Sequence, residues 1–340
     1  MASASGSLTR YIVQRLLLII PMVWVLVTIV FLLLRVAPGD PVSASVGDKL
    51  SPEALEARRA ALGLDRPLLV QYLDYLGNVA TLDFGKAISD NQPITEIILH
   101  NGGATLSLTV GAMLVAVLVG IPLGLAAGRR RDTVWDLVIR VFGVFTYAAP
   151  VFWTGLMVIL VVAPLGWPTY EIASPVTKFQ VQPVTHVLIV DSLIAGNVDA
   201  FLDVLQHHVL PCIVLGLLLA GVLIRLVRVN VLQTLQGDYV EAARARGVPE
   251  RYVIRRHAFR NALVPVITVI GLQVALTLSG AVLTEATFSW PGLGNKLIDY
   301  LIARDYAAVQ GLVTFFGIVV VLVSLAVDII NAVVDPRVRY

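Results

Sequence analysis

Ala104-Thr105-Leu106-Ser107-Leu108-Thr109-Val110-Gly111-Ala112-Met113-Leu114-Val115-Ala116-Val117-Leu118-Val119-Gly120-Ile121-Pro122-Leu123-Gly124-Leu125-Ala126-Ala127 runs without a charge and is followed at once by Arg129-Arg130-Arg131. A helix needs about 20 mostly apolar residues to cross a hydrocarbon core of about 30 Å. The run is continuous rather than alternating, so it reads as a helix and not as a barrel strand. Five further stretches are likewise long and mostly apolar, some with a charge toward one end: residues 11–34, 137–163, 209–232, 263–283 and 312–334. The expected fold class is therefore all-α, a polytopic membrane protein with six transmembrane helices.

Composition agrees. The chain has 57% hydrophobic and 14% charged residues, against about 45–50% and about 25% in soluble proteins. Its mean hydropathy is +0.84. Disorder requires low hydrophobicity, and a single cysteine, Cys212, closes no bridge within the chain. Soluble, disordered and disulfide-scaffold classes are excluded.

The first apolar run follows Arg10 and Arg15, as a secretory signal would. It is longer than a signal core of about 7–15 residues and ends in Arg35-Val36-Ala37-Pro38-Gly39-Asp40-Pro41 rather than at small residues. It reads as a retained span. Residues 1–10 form an N-terminal tail, and residues 11–340 a single transmembrane domain.

Orientation follows from the basic residues. With both termini inside, 16 of the 25 Lys and Arg fall on the cytoplasmic side, among them Arg129 to Arg131, Arg140, Arg225, Arg228, Arg244 and Arg246. The near-neutral total of +2 then divides into about +9 inside and about −7 outside. Three outer segments result, residues 36–103, 164–208 and 284–311. In the first, Ser51-Pro52-Glu53 starts a helix with Ser51 as its cap.

Residues 233–262 form the one large cytoplasmic loop. It contains Gln236-Gly237-Asp238-Tyr239-Val240-Glu241-Ala242-Ala243-Arg244-Ala245-Arg246-Gly247. Asp238 is expected to cap a short helix, with Glu241 at its third position. Gly247 supplies the turn, Pro249 prevents continuation, and a second basic helix runs from Glu250 toward Leu263. Small side chains on an exposed helix let another backbone approach closely, which suits a docking element. The other reading is an interfacial amphipathic helix.

Here the sequence resembles a known family. Glu241-Ala242-Ala243, then Gly247, then Leu263-Val264-Pro265 is similar to the EAA loop of ABC importer permeases. The gap from Gly247 to Pro265 is longer than in the shortest form of that motif and is similar to peptide-transport permeases. Further segments resemble the dipeptide/oligopeptide/nickel branch. They are Pro38-Gly39-Asp40-Pro41, Leu62-Gly63-Leu64-Asp65, Phe288-Ser289-Trp290-Pro291-Gly292-Leu293-Gly294, Ala303-Arg304-Asp305-Tyr306 and Asp335-Pro336-Arg337. Their order covers nearly the whole chain.

The resemblance implies a type I permease-like fold in a prokaryotic inner membrane. It implies a heterodimer with a second homologous permease, two cytoplasmic ABC ATPase subunits, and an extracytoplasmic substrate-binding protein. Asp238, Tyr239, Glu241, Ala242, Ala243 and Gly247 would make the coupling helix that docks on the ATPase. Short peptides are the implied substrate, with nickel or another small solute as the alternative. No nucleic-acid partner is expected.

The chain has no G-x-x-x-x-G-K-[ST] phosphate loop, so ATP and Mg would be used by the partner subunits and not here. No cofactor, metal set or catalytic set is expected; the lone pair His207-His208 reads as polar residues at the outer end of the fourth span, and Cys212 as packing. Asp328, inside the sixth span, is expected to pair with an arginine rather than relay protons. Glu285 either faces the substrate path or holds the outer loop. Tyr147 and Pro150 in the third span, with a kink at Pro150, and Gln273, Thr277 and Ser279 in the fifth either line the path or serve helix packing. An ion-coupled secondary transporter is a further alternative, although no mid-membrane ionisable residue or inverted repeat supports it.

Overall fold

The computed structural model describes residues 3–36, 43, 51–61, 63–249, 252–253 and 259–334. Among them the regular elements are helical, and the β structure is a lone bridge between Lys86 and Pro93. The helices are α1 (Ser3–Val36), α2 (Pro52–Ala61), α3 (Leu68–Ala80), α4 (Ile94–Arg129), α5 (Val134–Ala148), α6 (Val151–Val162), α7 (Pro175–Gln180), α8 (Leu188–Ile194), α9 (Val198–Leu235), α10 (Asp238–Ala245), α11 (Phe259–Gly280), α12 (Val282–Thr287), α13 (Leu293–Ile302) and α14 (Tyr306–Val334).

Four helices are long and apolar enough to cross a membrane: Arg10–Arg35 within α1, then α4, α9, and Tyr306–Val333 within α14. The expected third span is not one continuous helix. It is the pair α5 and α6, bent by 101°. Ala149 and Pro150 both adopt extended backbone. Proline disfavours the helical conformation of the residue before it and has no N–H to continue the ladder, so the chain turns there rather than kinking. The fifth is α11, whose apolar part, Pro265–Leu278, is shorter than the other spans. Pro265 lies inside that helix. The described helices thus give four candidate spans, or five with the bent pair counted as one.

The core is the α4–α9 pair. Gly120 and Gly124 let the two backbones approach closely. A Cβ on either would stand 2.7 Å from a Cβ of Leu223 or Val227. Small residues four apart serve this purpose where lipid offers helices no hydrophobic drive to associate. Leu108, Ala112 and Ala116 then interlock with Leu215, Leu219 and Leu223. Cys212 packs here against Gly111, as expected.

α11 packs on α14, where the Thr268 hydroxyl donates to Asn331 Oδ1 at 3.1 Å. α1 joins α14 through Arg15 Nη1 and Asp328 Oδ2, 3.0 Å apart. That is the expected ion pair. Outside, Ser51 caps α2 by accepting the Ala54 N–H at 3.3 Å, and Pro52 takes the first helical position. α3 leans on α1 and α14: Phe31 lies against the rings of Tyr72 and Tyr75, and the Tyr75 and Thr314 hydroxyls are bonded.

Candidate coupling site and transport face

α9 ends at Leu235. Gln236 and Gly237 turn the chain, and α10 starts at once. Gly237, in extended conformation, is the N-cap residue; Asp238 is the first helical residue and makes no capping bond. The expected cap is thus displaced by one residue, because the Gly237 carbonyl already accepts from Val240 and Glu241. Asp238 and Glu241 still occupy the first turn, where the helix dipole favours negative charge.

The other end matches expectation. Gly247 has φ +74°, its N–H donates to the Arg244 carbonyl at 2.9 Å, and the Val248 N–H reaches back to Ala243 at 3.2 Å. This paired 5→2 and 6→1 bonding is a Schellman stop. Val240 and Ala243 are fully buried with Val253, against Leu235 and Val248. Asp238, Tyr239, Glu241, Ala242 and Ala245 stay exposed. Six residues were expected to dock a partner, and Ala243 instead holds the helix down. The second basic helix lies mostly outside the described residues.

The expected path residues are not brought together. Tyr147 is 62% exposed, one turn before the break at Pro150. Gln273 is half-buried. Thr277 is buried, with its hydroxyl turned back to the Gln273 carbonyl at 2.6 Å. Ser279 is helical, and its side chain lies outside the described residues.

Sequence reasoning missed the wiring of two acidic residues. Asp136 is fully buried at the start of α5 and takes a bidentate bond from Arg228 of α9, at 2.7 and 2.8 Å. Arg140, one turn on from it, was the visible signal. Glu285 in α12 is fully buried and accepts from the Thr105 hydroxyl at 2.7 Å and the Asn295 N–H at 2.9 Å. Gly292 and Gly294 wrap this carboxylate so closely that a methyl group on Gly294 would stand 2.9 Å from Oε2. Trp290 seals the cluster; its indole N–H donates to Ala104 at 2.9 Å, and its ring meets His208 edge-on at 4.6 Å. Of the two structural possibilities for Glu285, the loop-holding one is what the geometry displays. His208 is thereby buried, while His207 pairs with Asp203.

Residues 120–340 match the family described as binding-protein-dependent transport system inner membrane component. The chain belongs to this family. Residues 8–109 match its N-terminal companion, binding-protein-dependent transport system membrane component. The permease is 39% identical over 336 residues to the dipeptide transport system permease protein DppB of Escherichia coli K12, covering 97% of this chain and 99% of that one. It is 38% identical over 337 residues to the di/tripeptide transport system permease protein DppB of Pseudomonas aeruginosa, covering 97% and 98%. It is 37% identical over 333 residues to DppB of Haemophilus influenzae, covering 97% and 99%. With its apolar helices, this permease is a multi-pass inner-membrane component of a binding-protein-dependent transport system.

Proposed function

We propose that this permease is the transmembrane subunit of an ATP-driven importer of short peptides, one of two related permeases that together enclose the path. The observation that carries the reading is α10: a two-turn helix that starts at Gly237 and is stopped by the Gly247 turn, with Tyr239, Glu241, Ala242 and Ala245 turned outward. The peptide substrate is taken from the names of the relatives, all peptide permeases over their whole length.

In this reading two ATPase subunits bind ATP and Mg below the membrane, and a substrate-binding protein delivers peptide from above. Both termini are cytoplasmic and six membrane passages are made, the bent α5–α6 pair and α11 supplying two of them. ATP binding draws the ATPases together and pushes on α10. Because Val240 and Ala243 are buried against the end of α9, the push reaches α9, and the close glycine contacts carry it to α4. The Ala149–Pro150 break and the α11–α12 junction at Ala281 are the points where the remaining helices can swing. Pro150 and Gln273 are the residues assigned to the path; Thr277, buried and back-bonded, is assigned to packing.

The reading is tested by Tyr239→Ala and Ala242→Trp in the purified complex. Each is expected to weaken ATPase association about tenfold or more, as loss of an interface anchor does, with normal insertion. Unchanged association in both variants would remove α10 from the coupling role.

A further inference from the structure

Between α5 and α9 a groove of about 780 Å³ opens on the surface of the chain. Its walls are apolar, from Val144, Tyr147 and Val222, and one end carries Arg140, Arg225 and Arg228. The charges there do not cancel. Asp136 is held bidentately by Arg228 and lies 3.5 Å from Arg140 Nε. Arg225 is exposed, and among the described residues no carboxylate lies within ion-pair distance of it. Asp132, beside this cluster, is offset by its ion pair with Arg131, so one buried carboxylate among three guanidiniums leaves the end with an excess of about two positive charges.

The depth of this end is also defined. Arg140 lies six residues beyond the first residue of α5, and Arg228 seven residues before the last of α9. At 1.5 Å per residue these are about 9 and about 10 Å from the helix ends. Arginine side chains at that depth reach the membrane–water boundary. It is the same boundary at which the Arg129–Arg131 turn and α10 lie.

We propose that the groove is a binding site for an anionic glycerophospholipid, with the phosphate between Arg140 and Arg225 and the acyl chains along Val144, Tyr147 and Val222. A peptide would bring amides that these apolar walls leave unpaired, at a cost of roughly 2–7 kcal/mol each in transfer terms. A phospholipid presents an anion and a hydrocarbon chain in the order the groove requires. Basic pockets between transmembrane helices at a cytoplasmic boundary bind such head groups. The inference rests on the chain's place in the membrane and not on what it transports. It assigns Tyr147 to the lipid groove and takes it off the peptide path.

The test is native mass spectrometry of the detergent-purified complex, titrated with phosphatidylglycerol or phosphatidylcholine. The wild type is expected to hold phosphatidylglycerol more tightly. Arg225→Gln is expected to weaken that preference about fivefold, the contribution of one interfacial basic residue, while Arg225→Lys keeps most of it. Equal retention of the two lipids by the wild type, or an unaltered preference in Arg225→Gln, would overturn the proposal. Independently, a photo-crosslinking residue in place of Tyr147 is expected to label phospholipid in native membranes. Labelling of a second permease or of a radioactive dipeptide instead would also overturn it.

Discussion

The Glu285 carboxylate takes a 2.7 Å hydrogen bond from the Thr105 hydroxyl, joining α12 to α4 across 180 residues of sequence. The same hydroxyl accepts the Leu293 N–H at 2.9 Å. Thr105 therefore serves two buried partners at once. Thr105→Val, which keeps shape and removes both bonds, is expected to destabilise the outer loop by about 1–3 kcal/mol for each orphaned group. Thr105→Ser should stay near wild type. Thermal unfolding in detergent distinguishes the three.

Burial raises the Glu285 pKa above its ordinary 4.5, and the hydrogen bonds from Thr105, Asn295 and Gly294 oppose that shift only in part. The folded protein thus holds this proton more tightly than the unfolded chain. Its contribution to stability is full below 4.5 and is lost as pH rises through the raised folded value. The melting temperature is expected to fall across that window. Glu285→Gln cannot titrate, so its melting curve should lack this part of the pH slope. An identical slope in the variant would assign the dependence to another group.

A Cβ at Gly247 would meet no atom within 4 Å, so any cost there comes from the backbone at φ +74°. Gly247→Ala is expected to loosen the Schellman stop by about 1 kcal/mol, whereas asparagine adopts the left-handed region more readily and Gly247→Asn should be milder. Uptake and ATPase association in proteoliposomes should follow that order: wild type, Gly247→Asn, Gly247→Ala.

Arg15 and Asp328 form a 3.0 Å pair that ties α1 to α14. Their side chains remain 41% and 32% exposed, so screening by solvent or headgroups keeps the pair's contribution small. Its importance is diagnostic. If Asp328 is a structural partner, Asp328→Asn and Arg15→Gln each reduce stability slightly, and the double variant loses less than the sum of the two. If Asp328 relayed protons, Asp328→Asn alone would abolish uptake, and a protonophore would do the same to the wild type. ATP-energised uptake is expected to survive both treatments.

How much was readable from sequence depended on whether the signal was local. The charge-free run from Ala104 to Ala127 ended by Arg129 was sufficient to define a span, because length and hydropathy are properties of one segment. The Ser51-Pro52 start and the Gly247 turn were readable for the same reason. In the third span the kink expected at Pro150 was placed correctly, but its size was not readable because hydropathy is indifferent to direction: residues on both sides of Pro150 are apolar, and the 101° bend changes none of them. At α10 the acidic start, the small helix-forming residues and the Gly247 stop located the helix, but whether Gly237 or Asp238 caps it depends on a single backbone turn. The candidate site was harder. That Ala243 is buried while Ala242 faces outward depends on Val253 folding back beneath the helix. Thr105 and Arg228, which hold Glu285 and Asp136, come from other helices, and neither can be identified from the residues adjoining those carboxylates in sequence.

In the proposed mechanism, ATP spent by partner subunits drives peptide through this permease by way of α10. Uptake of a labelled dipeptide by the complete complex in proteoliposomes, with its binding protein outside and ATP enclosed or withheld, tests it most directly. Accumulation is expected only with enclosed ATP, and is expected to be lost with Ala242→Trp although that variant inserts normally in the membrane. Accumulation without ATP, or full ATP-driven uptake by that variant, would contradict it.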